Sequence, residues 1–305
     1  MLALPKVTIV IPIYNCAANL SLTLDALIHQ DFQGEIEIIA VDNNSTDDSK
    51  HIVQQYPQVI YTNQTAIQNA AATRNQGIQM ATGDIIALID GDCIPETNWI
   101  SRSVHLMLDQ GVPRIGGKIG VKPLSVNSSI YALIDALFCF NQESAIRHLG
   151  TCMTGNFITR KDVFVHVGLF NQDYYEMEDI EFGIRAIAAD LAILYADTAI
   201  VWHPPRTTFQ EMWHKSKRNG RGTFILCQKN SQWSGRWGWK HLPRCCKTLV
   251  SLRHPDWQAL PFDDQLIPWN KKFKIYWLAW IVINLGEACG YLKSWIRFMA
   301  RKDFA

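Results

Sequence analysis

The N-terminal third of the chain alternates between short apolar runs and segments whose apolar residues recur at helical spacing. This alternation restricts the fold more than any other feature of the sequence. Two runs, Val7–Ile13 and Ile36–Val41, have the composition of buried parallel strands, and two further strands are predicted at Val59–Thr62 and Asp84–Ile89. Helices are predicted between them at Asn19–His29, Thr46–Gln55 and Ile67–Met80. This rhythm predicts an α/β fold with a doubly wound, mostly parallel sheet.

Polar residues follow three of the predicted strands directly. Tyr14 and Asn15 follow the first strand, Asp42 follows the second, and Asp90 and Asp92 follow the fourth. Ligands bind to open α/β sheets at the carboxyl ends of the strands, so these side chains are expected to border one crevice. The phosphate-binding patterns G-x-G-x-x-G and G-x-x-x-x-G-K-[ST] do not occur in the sequence. Their absence argues against dinucleotide-binding and P-loop enzymes.

The segment Asp90-Gly91-Asp92 is a candidate metal site. Mn²⁺ or Mg²⁺ takes few protein carboxylates and completes its coordination with water and phosphate oxygens. The alternative is an Asp-Gly turn with solvated side chains, which is common in proteins. The apolar strand before it and the polar ends of the other strands favour the metal site, with Asp90 and Asp92 as ligands.

A short predicted helix, Glu178–Ala188, begins with acidic residues. A group transfer to a hydroxyl needs a base that deprotonates this hydroxyl as it attacks, and one well-placed carboxylate can do this. The alternative is ordinary, because acidic residues in a first helical turn are favoured by the helix dipole. We predict Asp179 as the base, with Glu178 beside it.

Several basic residues in the second half of the sequence could contact a diphosphate or an acceptor. His203 follows the predicted strand Ala199–Trp202 and could ligate the metal, or contact the diphosphate together with Arg206. Arg218 and Arg221, in a predicted basic helix, could hold phosphate. The alternatives are a structural histidine and a solvated helix surface.

Six segments, taken in order, resemble the motifs of the family 2 glycosyltransferases, which have the GT-A fold. They are Val7–Asn15, Val41–Asp47, Ala72–Gly77, Asp90–Asp92, Gly155-Asn156 with Arg160 and Gly168–Phe170, and Glu178–Arg185. One such motif is a weak signal, but six in the family order are a strong one. The resemblance covers roughly residues 5–225.

The resemblance implies a role for each motif. The donor nucleotide would be bound by Pro12, Tyr14, Asn15, Asp42, Arg74 and Asp90. Asp92 would hold the metal, with Asp90 near it or near the ribose, and Asn156 would lie near the diphosphate or the acceptor. Asp179 would act as the base in a single displacement that inverts the anomeric carbon.

We therefore expect an inverting, metal-dependent transferase that moves a sugar from a nucleoside diphosphate, most commonly UDP in this family, to a hydroxyl of a glycan or lipid-linked acceptor. One alternative is a nucleotidyltransferase that makes sugar nucleotides. Such enzymes usually have a Gly-rich loop and a basic residue after the first strand, where this chain has Asn15–Ala18. The other alternative is a non-catalytic nucleotide-sugar-binding module, which would be expected to lose the base or the metal acids. No nucleic-acid partner is predicted.

Charge is distributed unevenly along the chain. Residues 1–200 contain 11 Lys or Arg and 22 Asp or Glu, a net charge of −11, whereas residues 201–305 contain 18 and 6, a net charge of +12. Ten of the 11 Trp residues also follow residue 200. The apolar stretch Ile275–Leu292 contains Asn284 and Glu287, which makes a membrane span unfavourable. Two interpretations stay open for it: a core helix, or a helix lying on an anionic membrane surface.

These features predict two domains. Residues 1–228 would form the GT-A catalytic domain, divided into a nucleotide-binding half, 1–110, and an acceptor half, 111–228. Residues 229–305 would form a mainly helical, basic, Trp-rich extension. The eight irregularly spaced cysteines predict reduced thiols and a cytoplasmic location, with peripheral attachment to the inner face of the cell membrane as a further expectation.

Overall fold

The computed structural model of the protein describes residues 4–229, 260 and 263–302. The chain forms two compact units. Residues 1–120 and 141–204 make up the first, which we call the sheet unit, and residues 121–140 and 205–305 make up the second, the helical unit. The domain boundary at residue 228 stays a prediction. It differs from this division because residues 121–140 and 205–228 group with the C-terminal helices.

An eight-stranded sheet forms the centre of the sheet unit. Its strands are β1 Val7–Ile13, β2 Ile36–Asp42, β3 Val59–Asn63, β4 Ile85–Leu88, β5 Ile94–Pro95, β6 Arg114–Val121, β7 Phe157–Arg160 and β8 Ile193–His203. Their order across the sheet is β3-β2-β1-β4-β7-β6-β8-β5. Strands β1 to β4 are parallel, β7 is antiparallel to β4 and β6, and β5 is antiparallel to β8. The predicted mostly parallel α/β sheet is therefore confirmed.

Helices cover both faces of the sheet. They are α1 Ala17–Ile28, α2 Ser49–Val53, α3 Ala70–Met80, α4 Trp99–Gln110, α6 Gln142–Leu149, α7 Asp162–Val167 and α8 Glu178–Ala188, with α5 Ile130–Phe138 in the helical unit. Ile9 and Ile11 pack with α1 on one side of β1, whereas Val10 packs with α3 on the other. Each fully buried aliphatic side chain contributes about 1.5–3 kcal/mol. A strand buried on both faces needs an unbroken apolar run, which explains the sequence of β1.

A close approach between α3 and the sheet depends on one glycine. A Cβ atom at Gly77 would lie 2.3 Å from Cγ1 of Val10, well inside van der Waals contact. Glycine at this position therefore lets α3 lie directly on β1 and β2. The same helix carries Arg74 toward the carboxyl ends of the strands.

Two segments differ from the sequence prediction. The predicted short strands 192–195 and 199–202 are parts of one strand, β8, which runs through the exposed residues Asp197 and Thr198. The segment 155–159 divides into a 3₁₀ turn, Thr154–Asn156, followed by β7. Polar residues in an apolar pattern suggest a loop, whereas an exposed position on a strand accepts them equally well.

The helical unit consists of α5 with α9 Phe209–Lys229, α10 Trp269–Ala279, a six-residue π-helical segment, Trp280–Leu285, and α11 Gly286–Lys302. Its core is apolar and includes Leu133, Leu137, Met212, Ile275, Ala279 and Val282. The predicted helical C-terminal region is confirmed for the described residues. Most of the aperiodic segment 235–266 lies outside them.

Candidate active site

One buried arginine joins two parts of the predicted site. Arg74 Nη2 lies 2.8 Å from Asp90 Oδ1, and Nη1 lies 2.7 Å from Glu178 Oε1. Arg74 is 5% exposed, and its Nε atom has no hydrogen-bond partner among the described residues. Hydrogen bonds between ions are roughly twice as strong as neutral ones, so this guanidinium fixes the first turn of α8 relative to the end of β4.

Asp179 follows Glu178 in the first turn of α8. It is half-buried, and its Oδ1 accepts a hydrogen bond of 2.8 Å from the Ile180 N–H. Burial, together with the neighbouring Glu178 carboxylate, raises the pKa of Asp179 to about 7. A carboxylate that titrates near neutral pH is suited to accept a proton from a hydroxyl and to release it later.

The backbone before α8 has an unusual conformation. Met177, the residue at the N-terminus of the helix, has φ = 66° and lies in the left-handed region. A side chain with a Cβ rarely adopts this region, because the Cβ crowds the backbone. The chain nevertheless takes this turn immediately before Glu178 and Asp179.

Asp92, Cys93 and His203 come together at the ends of β4 and β8. Their potential ligand atoms all lie within 4.8 Å of one another, and His203 Nε2 is 3.8 Å from Asp92 Oδ2. His203 Nδ1 contacts the Pro204 carbonyl oxygen as a donor, and Nε2 is the ring nitrogen that lies toward Asp92. A hydrogen bond at the second ring nitrogen is the usual arrangement in metal-binding histidines.

These residues fit a divalent cation such as Mn²⁺ held by few protein ligands. Asp92 offers a carboxylate and His203 an imidazole, both of which Mn²⁺ accepts. Cys93 is buried, and its burial raises the pKa of the thiol well above the usual value. Mn²⁺ and Mg²⁺ prefer oxygen and nitrogen ligands to sulfur, so Asp92 and His203 are the stronger candidates and Cys93 lies beside them. Asp90, the other predicted ligand, lies outside this group because Arg74 holds its Oδ1.

The residues predicted to bind the donor nucleotide lie at the ends of β1 and β2. Asp42 is buried; its Oδ1 accepts from the Ser45 N–H at 2.9 Å and its Oδ2 from the Tyr61 hydroxyl at 2.9 Å. Burial, and then Asp42, raise the pKa of the Tyr61 phenol. The Asn15 N–H donates to Ser45 Oγ at 3.1 Å. Ser45, which the sequence analysis missed, therefore connects the ends of β1 and β2, and Tyr61, also missed, connects Asp42 to β3.

Pro12 and Tyr14 complete this edge of the sheet. Pro12 pairs with Val41 in the register of β1 and β2, and the Tyr14 side chain is 55% exposed. Asn15 has φ = 49°, which turns the chain sharply after β1, and its Oδ1 accepts from the Thr46 N–H at 2.8 Å. Tyr14 thus presents an accessible ring beside a rigid turn.

Asn156 occupies a different kind of position. It is fully buried; its Oδ1 accepts from Trp99 Nε1 at 2.8 Å, and its Nδ2 donates to the carbonyl oxygens of Lys118 and Ala199, each at 2.9 Å. These hydrogen bonds hold α4, β6 and β8 together around the 3₁₀ turn. The predicted contact between Asn156 and a diphosphate or acceptor would require them to break, so its position favours a structural role.

The remaining predicted residues belong to the helical unit. Arg206 Nη1 lies 2.9 Å from Oδ1 of the buried Asp135, and the Arg206 N–H donates to Oδ2 at 3.0 Å. Arg218 and Arg221 line a basic cavity in the same unit. The structure therefore brings Arg74, Asp90, Glu178 and Asp179 together in the sheet unit. Arg206, Arg218 and Arg221 belong to the helical unit and are not part of this group.

Comparison with solved structures shows that the protein has the GT-A fold of nucleotide-sugar transferases. A mannosyltransferase, PcManGT from Pyrobaculum calidifontis in complex with GDP-Man and Mn²⁺, superposes with a TM-score of 0.62 at 15% identity, covering 94% of this chain and 87% of that one. S. aureus TarS residues 1–349 in complex with UDP superposes with a TM-score of 0.53 at 16% identity, covering 96% and 91%.

The sequence comparisons define the family. Residues 8–168 match the profile of glycosyl transferase family 2. Glycosyltransferase AglE of Haloferax volcanii is 31% identical over 225 residues, which cover 72% of this chain and 73% of the relative. The probable glycosyltransferase YdaM of Bacillus subtilis is 26% identical over 243 residues, covering 75% and 58%. The chain therefore belongs to glycosyl transferase family 2, and the predicted family is confirmed.

Proposed function

We propose that this glycosyltransferase moves a sugar from a nucleoside diphosphate sugar, with UDP as the first candidate nucleotide, to a hydroxyl of a glycan or lipid-linked acceptor. Inversion at the anomeric carbon is part of the proposal. The observation that carries it is the continuous network from Asp90 through Arg74 to Glu178, with Asp179 next in the chain and its pKa raised to about 7. The nucleotides GDP-Man and UDP in the structural relatives support the donor class.

In this proposal Asp179 accepts the proton of the acceptor hydroxyl while that oxygen bonds to the anomeric carbon. The bond from this carbon to the diphosphate breaks in the same step, on the opposite side, so the configuration inverts. Glu178 cannot serve as the base equally well, because its carboxylate is already paired with Arg74 at 2.7 Å. Asp42 and Tyr14 would hold the nucleotide at the ends of β1 and β2.

The proposed cofactor is Mn²⁺ or Mg²⁺, held by Asp92 and His203. When bound, such a cation neutralises the negative charge that develops on the departing diphosphate. Asp90 stays a candidate second ligand through its Oδ2, because the ion pair with Arg74 engages only Oδ1. The residues of the chain orient the donor and accept the proton.

The proposed function is tested by incubating the full chain with UDP-, GDP- and dTDP-sugars, with and without Mn²⁺, and identifying the products. Release of nucleoside diphosphate that stops in excess chelator is the expected result. Asp92→Ala should abolish it, whereas Asp109→Ala, an exposed carboxylate on α4, should leave it unchanged. Release of pyrophosphate would instead identify a nucleotidyltransferase, and undiminished activity of Asp92→Ala would remove the metal assignment.

We also propose that the helical unit lies on an anionic membrane surface at the cytoplasmic side. One described helix, Trp269–Trp295, is long and apolar enough to cross a membrane by length and composition, and 33% of its most apolar window is buried. Trp269, Phe273 and Trp277 are 78%, 60% and 58% exposed and recur at every fourth position of α10. Aromatic rings favour the headgroup level of a bilayer, and the exposed Lys274 on the same helix attracts anionic lipids. Free thiols at all six described cysteines accord with a reducing compartment.

Vesicle flotation tests this second proposal. The full chain should float with anionic vesicles, and replacement of Trp269, Phe273 and Trp277 by Ser should release it. The matched control replaces three exposed apolar residues of the sheet unit, Leu22, Leu108 and Val165, by Ser and should float normally. Equal flotation of both triple variants would contradict attachment through α10.

A further inference from the structure

Helices α9 and α11 cross at a contact made by glycines. A Cβ atom at Gly220 would lie 1.9 Å from the Glu287 carbonyl oxygen, and a Cβ atom at Gly290 would lie 2.1 Å from the Lys217 carbonyl oxygen. Both distances are far below any real Cβ contact, so only glycine lets the two backbones touch here. The spacing of four residues from Gly286 to Gly290 keeps the small residues on one face of α11.

This crossing brings basic side chains of both helices to one cavity. The cavity has a volume of about 220 Å³ and is lined by His214, Lys217, Arg218, Arg221, Gly290, Lys293, Ser294 and Arg297. Five of these eight residues are Lys or Arg, and the described lining contains no Asp or Glu. Lys293 and Arg297 are four residues apart on one helix, as are Lys217 and Arg221 on the other, and like charges at this spacing repel one another. An anion bound between the helices would relieve part of this repulsion.

The shape and chemistry of the cavity match a phosphate group. Arginine offers paired N–H donors that suit phosphate oxygens, and lysine adds a mobile point charge. Arg218 and Lys217 approach from α9, and Lys293 and Arg297 approach from α11. Ser294 is half-buried beside them, and its Oγ donates to the Gly290 carbonyl oxygen at 3.0 Å. The lining thus combines cations from two helices, and the side chains of Arg218, Lys293 and Arg297 are exposed and accessible to a ligand.

We propose that the α9–α11 cavity is a second binding site, which takes a phosphate or diphosphate group of a ligand. This inference does not rest on the proposed donor chemistry, because every residue that lines the cavity belongs to the helical unit. The phosphate can belong to a lipid headgroup or to a soluble molecule, and the same lining recognises both.

Two probes, each given to the full chain in excess chelator so that a cation-dependent donor site stays empty, test the site. The first is inorganic pyrophosphate, followed by isothermal titration calorimetry. The second is phosphatidylcholine vesicles with and without phosphatidic acid, followed by flotation. The triple variant Arg218→Gln, Lys293→Gln, Arg297→Gln should weaken binding by at least about tenfold, since each basic residue near an anionic headgroup contributes measurably.

The matched control carries the same change in net charge in the sheet unit: Lys50→Gln, Arg102→Gln, Arg147→Gln. All three control residues are exposed, so folding is expected to survive. Binding of pyrophosphate that only the cavity variant loses supports a soluble phosphate ligand. Binding of phosphatidic acid vesicles alone, again lost only in the cavity variant, supports a lipid phosphate. Equal losses in both variants, or no binding of either probe by the unmodified chain, would overturn the proposal.

Discussion

The Arg74 network and the α9–α11 cavity treat charge in opposite ways. Around Arg74 the protein brings unlike charges together, so the guanidinium is neutralised by Asp90 and Glu178 within the fold. In the cavity the glycine crossing brings like charges together, with Arg218 and Arg297 on separate helices. Charges that are paired inside a protein hold groups in place, whereas charges left beside others of the same sign attract a partner from outside. The first region is therefore built for positioning, and the second for binding.

The largest expected effect concerns the base beside the paired region. Asp179→Asn keeps the shape of the side chain but cannot accept a proton, so the rate should fall by about 10²- to 10⁴-fold. Donor binding should survive because the change removes no residue assigned to the nucleotide. Turnover and donor affinity are measured in the same preparation.

Asp190→Asn is the control for this variant. Asp190 is exposed and has φ = 56°, a conformation that asparagine tolerates well, so its activity should be normal. A collapse of donor affinity in Asp179→Asn, with normal turnover of bound substrate, would assign Asp179 to the donor pocket instead.

The next prediction tests whether the ion pairs of Arg74 stabilise the fold. Arg74→Met keeps an unbranched apolar side chain in place of the aliphatic part of arginine but leaves the buried Glu178 without its counter-charge. Breaking a buried ion pair from one side typically costs about 3–5 kcal/mol of stability. Urea unfolding should show this loss, and Arg74→Met with Glu178→Met should recover part of it. A double variant no more stable than the single one would mean that Arg74 acts through Asp90 alone.

A smaller, graded effect should appear in the pH dependence. Because Asp179 must be ionised to act as a base and its pKa is raised to about 7, kcat/KM should fall by about tenfold per pH unit below 7. The stability of the fold should change with pH in the opposite direction. The folded pKa lies above the unfolded value, so this group stabilises the fold at acidic pH and loses that contribution as the pH rises to about 7. A rate profile without an inflection near 7 would rule out Asp179 as the titrating base.

The smallest expected effect concerns the stability of the α9–α11 cavity, where like charges lie close together, in contrast to the paired charges around Arg74. Removing one charge from the cavity should stabilise the free protein, because it relieves repulsion worth a few tenths of a kcal/mol. Lys293→Gln should therefore raise the melting temperature slightly in phosphate-free buffer, and saturating pyrophosphate should then stabilise it less than the unmodified chain. A lower melting temperature for Lys293→Gln would show that other groups of the protein already compensate the positive charge of the cavity.

The centre of the parallel half could be predicted because β1 and β4 are buried on both faces and are apolar along almost their whole length. The predicted bounds of β1, Val7–Ile13, and of α8, Glu178–Ala188, match the structure. The antiparallel strands were harder to define. Asp197 and Thr198 interrupt the apolar pattern of β8, and only the neighbouring strands show that the backbone stays extended there.

The candidate site was predictable where residues are close in sequence and not where they meet through the fold. Asp90 and Asp92 flank one glycine, which suggests a shared cation, but Arg74 takes the first carboxylate and His203 lies near the second. The pairing of Arg74 with Glu178 spans 104 residues, and the sequence shows only that both are charged. Such a contact depends on how α3 and α8 pack in the folded protein, and the sequence around either residue does not reveal it.

The left-handed backbone conformation at Met177 lowers the stability of the fold but fixes the direction in which α8 begins. Holding a side chain in this region costs on the order of 1–3 kcal/mol and persists only where the surroundings leave the chain no other route. Met177→Gly would remove the strain and stabilise the fold, but it would also widen the range of directions in which α8 begins. Hydrogen exchange at the amides of Glu178 and Asp179 should then become faster. The left-handed turn thus costs stability, and in return it fixes the direction in which α8 presents the proposed base, Asp179.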